Sequence, residues 1–261
     1  MRLTATCTMS FDVASPTPMI LMLRPRSGLG QWVVAERYEL TPFAPVVEYT
    51  DAHGNLCQRI TALPGPLEIR TRVEAETADQ IDVQPGAPFV PAQDLPPDAL
   101  QFLLPSRYCE SDKLGALAAE VAGDAAPGYD QAERICRWIH TQVAYRYGAS
   151  DATTSAADTA QQRVGVCRDF AHLGMALCRA LSIPARMVVG YLHRLDPMDL
   201  HAWFEAYVGG RWYTFDATQP EPRGGRIVIA YGRDAADVAM TTQFGPATLT
   251  AMQVSVSGEN E

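Results

Sequence analysis

The chain has 261 residues, of which 47% are hydrophobic and 20% charged, with 30 acidic against 21 basic side chains and a formal net charge of −9. That composition excludes wholesale disorder and gives enough chain for one large domain or two modest ones. An acidic chain repels phosphate backbones, so nucleic acid is not expected as a partner, and the longest early apolar run, Met19 to Leu23, is too short to cross a membrane.

The first residues carry one basic side chain, Arg2, but no continuous apolar stretch and no small-residue cleavage site. No secretory signal is therefore expected, and the location predicted is cytoplasmic. Cysteines stand at 7, 57, 109, 136, 167 and 178. Reduced thiols are the expectation in that compartment. None forms a C-x-x-C pair, so neither a metal site nor a cofactor is predicted.

Residues 1–83 read as an antiparallel, β-rich domain. Met19–Leu23, Gln31–Val34, Val46–Thr50 and Leu56–Ile60 are short apolar, β-branched or aromatic runs, and Asp51–Asn55 is turn-like. Leu67 to Ala75 alternates apolar with polar, the mark of a half-buried strand. Residues 84–105 are proline-rich and read as a linker. A second domain is then expected over 106–261. Ser111 is placed to cap a helix over Asp112–Ala122. Tyr129–Val143 carries Ala132, Ile135, Cys136, Ile139 and Val143 on one helical face. A further helix is expected from Val166 or Cys167 to Leu181, followed by strands at Met187–Leu192, His201–Val208 and Trp212–Asp216. The residues after one last strand, ending at Glu261, are expected to fray.

Chemistry concentrates between 164 and 218. Cys167 opens a helical pattern, where partially positive backbone N–H groups favour a thiolate. The bland alternative, a buried cysteine acting as a small hydrophobe, is common. Gly209-Gly210 signals a hairpin between the two strands that follow. A two-residue loop there sets Val208 opposite Arg211 and Trp203 opposite Asp216. His201 and Asp216 then share a sheet face as diagonal neighbours, so the carboxylate can orient the imidazole. Neither residue alone is persuasive, but the conjunction of a helix-start cysteine with a His and an Asp on one hairpin face suits covalent catalysis.

Val164-Gly165-Val166-Cys167-Arg168-Asp169-Phe170-Ala171, then His201-Ala202-Trp203-Phe204-Glu205, then Trp212-Tyr213-Thr214-Phe215-Asp216-Ala217-Thr218 resemble the three motif blocks of the transglutaminase-like superfamily. Ile183-Pro184-Ala185-Arg186 lies between the first two, as in bacterial members. The β-rich first third and the stretch Tyr231–Val238 also resemble the bacterial subgroup. The resemblance implies an α+β, papain-like cysteine proteinase fold. It implies Cys167 as nucleophile, His201 as general base and acid, and Asp216 as the orienter of His201. The chemistry implied is acyl transfer through a thioester on a peptide or protein amide substrate, with hydrolysis favoured. Transfer to an amine, or a non-catalytic peptide-binding module, are the alternatives. For the oxyanion, the N–H of Cys167 and the hydroxyl of Tyr145 or Tyr147 are candidates. His172 and Cys178 do not share a helix face with Cys167 as metal ligands would. Arg168 and Asp169 are read as either substrate-binding or a solvated helix start. Trp203 and Trp212 are read as core, and Asp196–Asp199 as a loop shaping the cleft entrance.

Overall fold

The computed structural model describes residues 1–28 and 30–259. The first strand, β1 (Arg2–Val13), buries Leu3, Ala5, Cys7, Met9, Phe11 and Val13 in strict alternation. The sequence carries that period-2 pattern from Arg2 to Val13. β1 pairs antiparallel with β6 (Gly65–Thr77), which buries Leu67, Ile69, Val73 and Ala75. Between them come β2 (Thr17–Arg24), β3 (Gln31–Thr41), β4 (Val47–Thr50) and β5 (Leu56–Ala62).

The end of the chain returns to this region. β13 (Thr241–Gln243) pairs with β2, and β14 (Ala247–Gly258) pairs with β1 from Leu3 to Val13. The two sheets run β14-β1-β6-β3 and β13-β2-β5-β4. The expected fraying of the last dozen residues is thus corrected through Glu259. β14 is held by a backbone ladder, and Thr6 and Ser255 add a hydroxyl pair at 2.6 Å. Asn260 and Glu261 lie outside the described residues. Residues 241–258 complete the sheets of the first third.

Residues 84–105 are not a free tether. They fold into short turns, including α1 (Pro97–Leu100), and bury Ala87, Leu95, Ala99 and Phe102. Phe102 meets Trp212 edge-on at 5.4 Å. Proline keeps these elements short, but it does not prevent packing. Ser111 also departs from expectation. It starts a 3-10 turn, Ser111–Lys113, and the helix α2 (Gly115–Ala122) begins later, without a side-chain cap.

The remaining helices are α3 (Tyr129–Gln142), α4 (Ala156–Gln162) and α5 (Cys167–Ala180). α4 was not read from sequence, although Ser155 and Asp158 form a reciprocal cap at its start. The strands β7 (Ala144–Tyr145) and β8 (Val164–Gly165) pair in parallel and bring the two loops before α5 together. A four-stranded antiparallel sheet, β11-β10-β9-β12, follows from β9 (Ala185–Leu192), β10 (His201–Val208), β11 (Arg211–Phe215) and β12 (Arg226–Gly232). Gly209 and Gly210, at φ 57° and 87°, make the tight turn that sets Val208 opposite Arg211, the register expected from sequence. Phe204 on one face of β10 packs on Gly174 of α5. The other face carries Trp203, Glu205, Thr214 and Arg186. Among the described residues, no helix is long and apolar enough to cross a membrane.

Candidate active site

Cys167 is the first residue of α5 and is half-buried. Its position is fixed from below by Asp169, which is wholly buried. The Asp169 carboxylate accepts hydrogen bonds from the Val166 backbone N–H (2.8 Å), from the Ser150 hydroxyl, and from Arg168 Nε and Nη2 (3.2 and 3.0 Å). Arg168 Nη2 also donates to the Asp151 carbonyl at 2.6 Å. Neither side chain is a solvated helix start. Together they tie the 150–151 loop to the first turn of α5. Gly165 is part of the same lock, since a Cβ there would come within 2.7 Å of Asp169 Cβ.

His201 opens β10 and is 3% exposed; Asp216 follows β11 and is 8% exposed. His201 Nε2 lies 2.8 Å from Asp216 Oδ2. The diagonal placement drawn from the hairpin register therefore corresponds to a direct contact. Cys167 lines the same cleft as His201, and its sulfur acts on the imidazole. Burial pulls the imidazole down. Asp216, by charge and hydrogen bond, and the Cys167 sulfur outweigh that and hold it up at about 9. Burial likewise pushes Asp216 up, but Arg226, His201 and Thr218 overcome this and keep its carboxyl well below the usual carboxylate range.

Two members of this constellation were missed in the sequence. Arg226 Nη2 donates to Asp216 Oδ2 at 2.8 Å, with its guanidinium 4.8 Å over the Trp203 ring. Thr218 donates to the other oxygen, Oδ1, from its hydroxyl (2.7 Å) and its backbone N–H (3.1 Å). Thr218 stood inside a quoted motif block, two residues after Asp216, a spacing that signals a local side-chain turn. Arg226 sits on a strand whose place next to β9 only the sheet topology reveals.

Of the two tyrosines, Tyr145 is the one at the nucleophile. Its hydroxyl is pushed up by partial burial and by the Cys167 sulfur, although the residue as a whole is 43% exposed. Tyr147 stands edge-on to Tyr145 at 5.6 Å and is 52% exposed. Trp203 is buried at 1% exposure and stacks on His201 at 6.0 Å. Trp212 is half-buried against Tyr207 and Arg186.

A cleft of about 310 Å³ opens over Cys167 and His201, lined by Met187, Val189, Leu200 and Ala202 on the sheet side and by Ala235, Val238, Ala239 and Met240 opposite. This gives a role to the stretch 231–238, which sequence left without one. Buried Asp234 accepts from the backbone N–H groups of Tyr108 and Ala236 at 2.8 and 2.9 Å. The Nε2 of His172 accepts from the Ala235 N–H at 3.1 Å. His172 is wholly buried and stacked on Tyr108 at 5.2 Å, and burial lowers it to about 4. It is therefore neutral and acts as a strut for the cleft wall. The loop before His201 reaches the cleft through Leu200, while Asp199 accepts from the Leu200 N–H. Among the described residues, no group of three or more His, Cys, Asp or Glu is placed to hold a metal ion.

Comparison with known proteins agrees with this architecture. The model of the transglutaminase-like superfamily matches residues 115–217. A solved structure from Cytophaga hutchinsonii, described as a candidate cysteine protease, is 40% identical and superposes with a TM-score of 0.92 over 98% of this chain and 90% of its own. Uncharacterized proteins of Mycobacterium leprae (29% identical, 83% of this chain and 82% of theirs) and Mycobacterium tuberculosis (30%, 83% and 77%) are also similar. The chain belongs to the transglutaminase-like superfamily and has its α+β, papain-like fold.

Proposed function

We propose that this protein is a cysteine-dependent amide or peptide hydrolase. The observation that carries the reading is that Cys167 and His201 line one cleft while the His201 ring lies 2.8 Å from the Asp216 carboxylate. His201, oriented by Asp216, takes the proton of the Cys167 thiol. The sulfur attacks the carbonyl carbon of an amide, forming a C–S bond. The resulting oxyanion is met by the Cys167 N–H and the Tyr145 hydroxyl. As the C–N bond breaks, His201 gives its proton to the leaving amine. A water then loses a proton to His201, adds to the thioester carbon and releases a carboxylic acid, and the C–S bond breaks. Asp216 keeps the imidazole in the orientation both steps need.

The substrate in this reading is a peptide or protein amide. A cytoplasmic setting, where thiols stay reduced, is part of the same proposal, and cell fractionation with a specific antibody tests it. The mechanism is tested by intact-mass spectrometry of the protein with iodoacetamide, comparing wild type, Cys167→Ala and His201→Ala. The expected result is rapid single labelling that disappears in Cys167→Ala and is slowed on the order of 10²-fold or more in His201→Ala. Labelling at a rate indifferent to His201 would overturn the reading and favour a binding module. Once a substrate is found, product mass in the presence of a primary amine separates hydrolysis from amine transfer.

A further inference from the structure

The cleft over Cys167 has a chemical character that the catalytic line does not require. Its two walls are aliphatic: Met187, Val189 and Leu200 face Val238, Ala239 and Met240. Apart from His201 itself, the charged side chain that borders it is Arg168, whose guanidinium is turned onto Asp169 and the Asp151 carbonyl. An ammonium entering this space meets the cationic side chains of Arg168 and His201, and a carboxylate finds Arg168 already committed to Asp169 and the Asp151 carbonyl. An aliphatic side chain gains by leaving water. The volume, about 310 Å³, is at the small end for a ligand site.

The wall formed by 235–240 is also rigid. Its start is pinned from behind by buried groups, with His172 accepting from Ala235, Asp234 bridging Tyr108 and Ala236, and Arg179 Nη2 donating to the Arg233 carbonyl at 2.5 Å. A wall held in this way selects by shape and polarity instead of adapting to what enters.

We propose that this cleft seats the substrate side chain next to the scissile carbonyl and selects an uncharged aliphatic residue of leucine or methionine size, with Val238, Ala239 and Met240 setting the choice. The inference rests on Cys167 being the nucleophile. Specificity is then a property of the returning segment 235–240, outside the three motif blocks.

The test uses the full-length protein and four peptidyl acyloxymethyl ketones that differ only in the residue next to the reactive carbonyl: Leu, Met, Glu or Lys. The rate of covalent labelling of Cys167 is followed by intact mass. The Leu and Met probes are expected to label at least about tenfold faster than the Glu and Lys probes, the scale of discrimination an apolar pocket supplies. Met240→Glu should raise the Lys probe relative to the Leu probe by a similar factor, with each probe rate divided by the iodoacetamide rate of the same variant. Ala239→Asp, at a second half-buried wall position, serves if Met240→Glu does not fold. Equal rates for the four probes, or an unchanged ranking in the wall variants, overturn the proposal when iodoacetamide labelling remains fast and His201-dependent. Slow, His201-indifferent iodoacetamide labelling removes the nucleophile reading and the cleft proposal with it.

Discussion

His201 and Arg226 contact the same atom: Asp216 Oδ2 lies 2.8 Å from His201 Nε2 and 2.8 Å from Arg226 Nη2. The other oxygen is taken by Thr218. The carboxylate is thus fixed in rotation, and a permanent cation shares it with a titratable one. Arg226 lowers the cost of keeping Asp216 ionised in a buried site, and it competes with His201 for the same charge.

This competition gives opposite signs for two variants. In Asp216→Asn, His201 loses its counter-charge, and its titration, followed by NMR of the ring carbon, should fall from about 9 toward or below the ordinary histidine value. Activity on a validated amide should fall by up to ~10⁴-fold, as in the serine-protease template. In Arg226→Met, a competing cation is gone while Asp216 stays charged, so the His201 titration should move upward. An unmoved titration in both variants would sink the account of this pair.

Arg226→Met should also cost stability. Removing one partner of a buried ion pair typically costs about 3–5 kcal/mol. Urea unfolding of the variant is expected to show a lower midpoint with an unchanged slope.

Cys167 should be the most reactive of the six thiols. Cys7, Cys57, Cys109 and Cys178 are buried, leaving Cys136 as the other half-buried one. Burial pushes the Cys136 thiol up, with Asp216 adding to it, so Cys136 should label slowly at neutral pH. Peptide mapping after brief iodoacetamide treatment is expected to find the label on Cys167. A label on Cys136 that arrives equally fast would contradict the difference in their surroundings.

The lock beneath the nucleophile is testable away from the chemistry. Gly165→Ala drives a methyl into Asp169, an overpacking expected to cost about 1–3 kcal/mol. For a chain of this size that corresponds to a few degrees in Tm by calorimetry. Asp169→Ala should cost at least as much, because it strips partners from the Val166 N–H and Arg168.

Two of the buried histidines, His172 and His201, predict stability changes on opposite sides of neutrality. His172 has a folded value of about 4, below the ordinary 6.5, so the unfolded chain takes up its proton first. Stability from this group is present above about 6.5 and is lost as pH falls toward 4. His201, at about 9, contributes stability below 6.5 that is lost as pH rises through 9. Denaturant titrations at several pH values should show a decline on each side. His172→Asn should flatten the acid side, and His201→Gln the alkaline side.

Much of the site was legible in the sequence because it depends on local geometry. The Gly209-Gly210 turn fixes the register of β10 and β11, and the register places His201 by Asp216. The start of α5 could likewise be read from its own residues. What escaped notice depends on distant partners. Arg226 meets Asp216 only because β12 lies beside β9, and residues 235–240 become a cleft wall only through His172 and Asp234. A last strand was expected, but not its pairing with β1, because a pairing between segments so far apart in the chain leaves no local mark in the sequence.

The pairing of Arg2–Val13 with Ala247–Gly258 has a consequence for how the molecule is made. On the ribosome β1 emerges long before its partner, so one flank of β1 has no native neighbour until residues 247–258 follow. An uncovered strand edge recruits other strands, and contacts this far apart in sequence form slowly. Chains stalled or clipped before residue 247 should therefore be the aggregating species in cells, while their α5 helix and the β9–β12 sheet are already present in full.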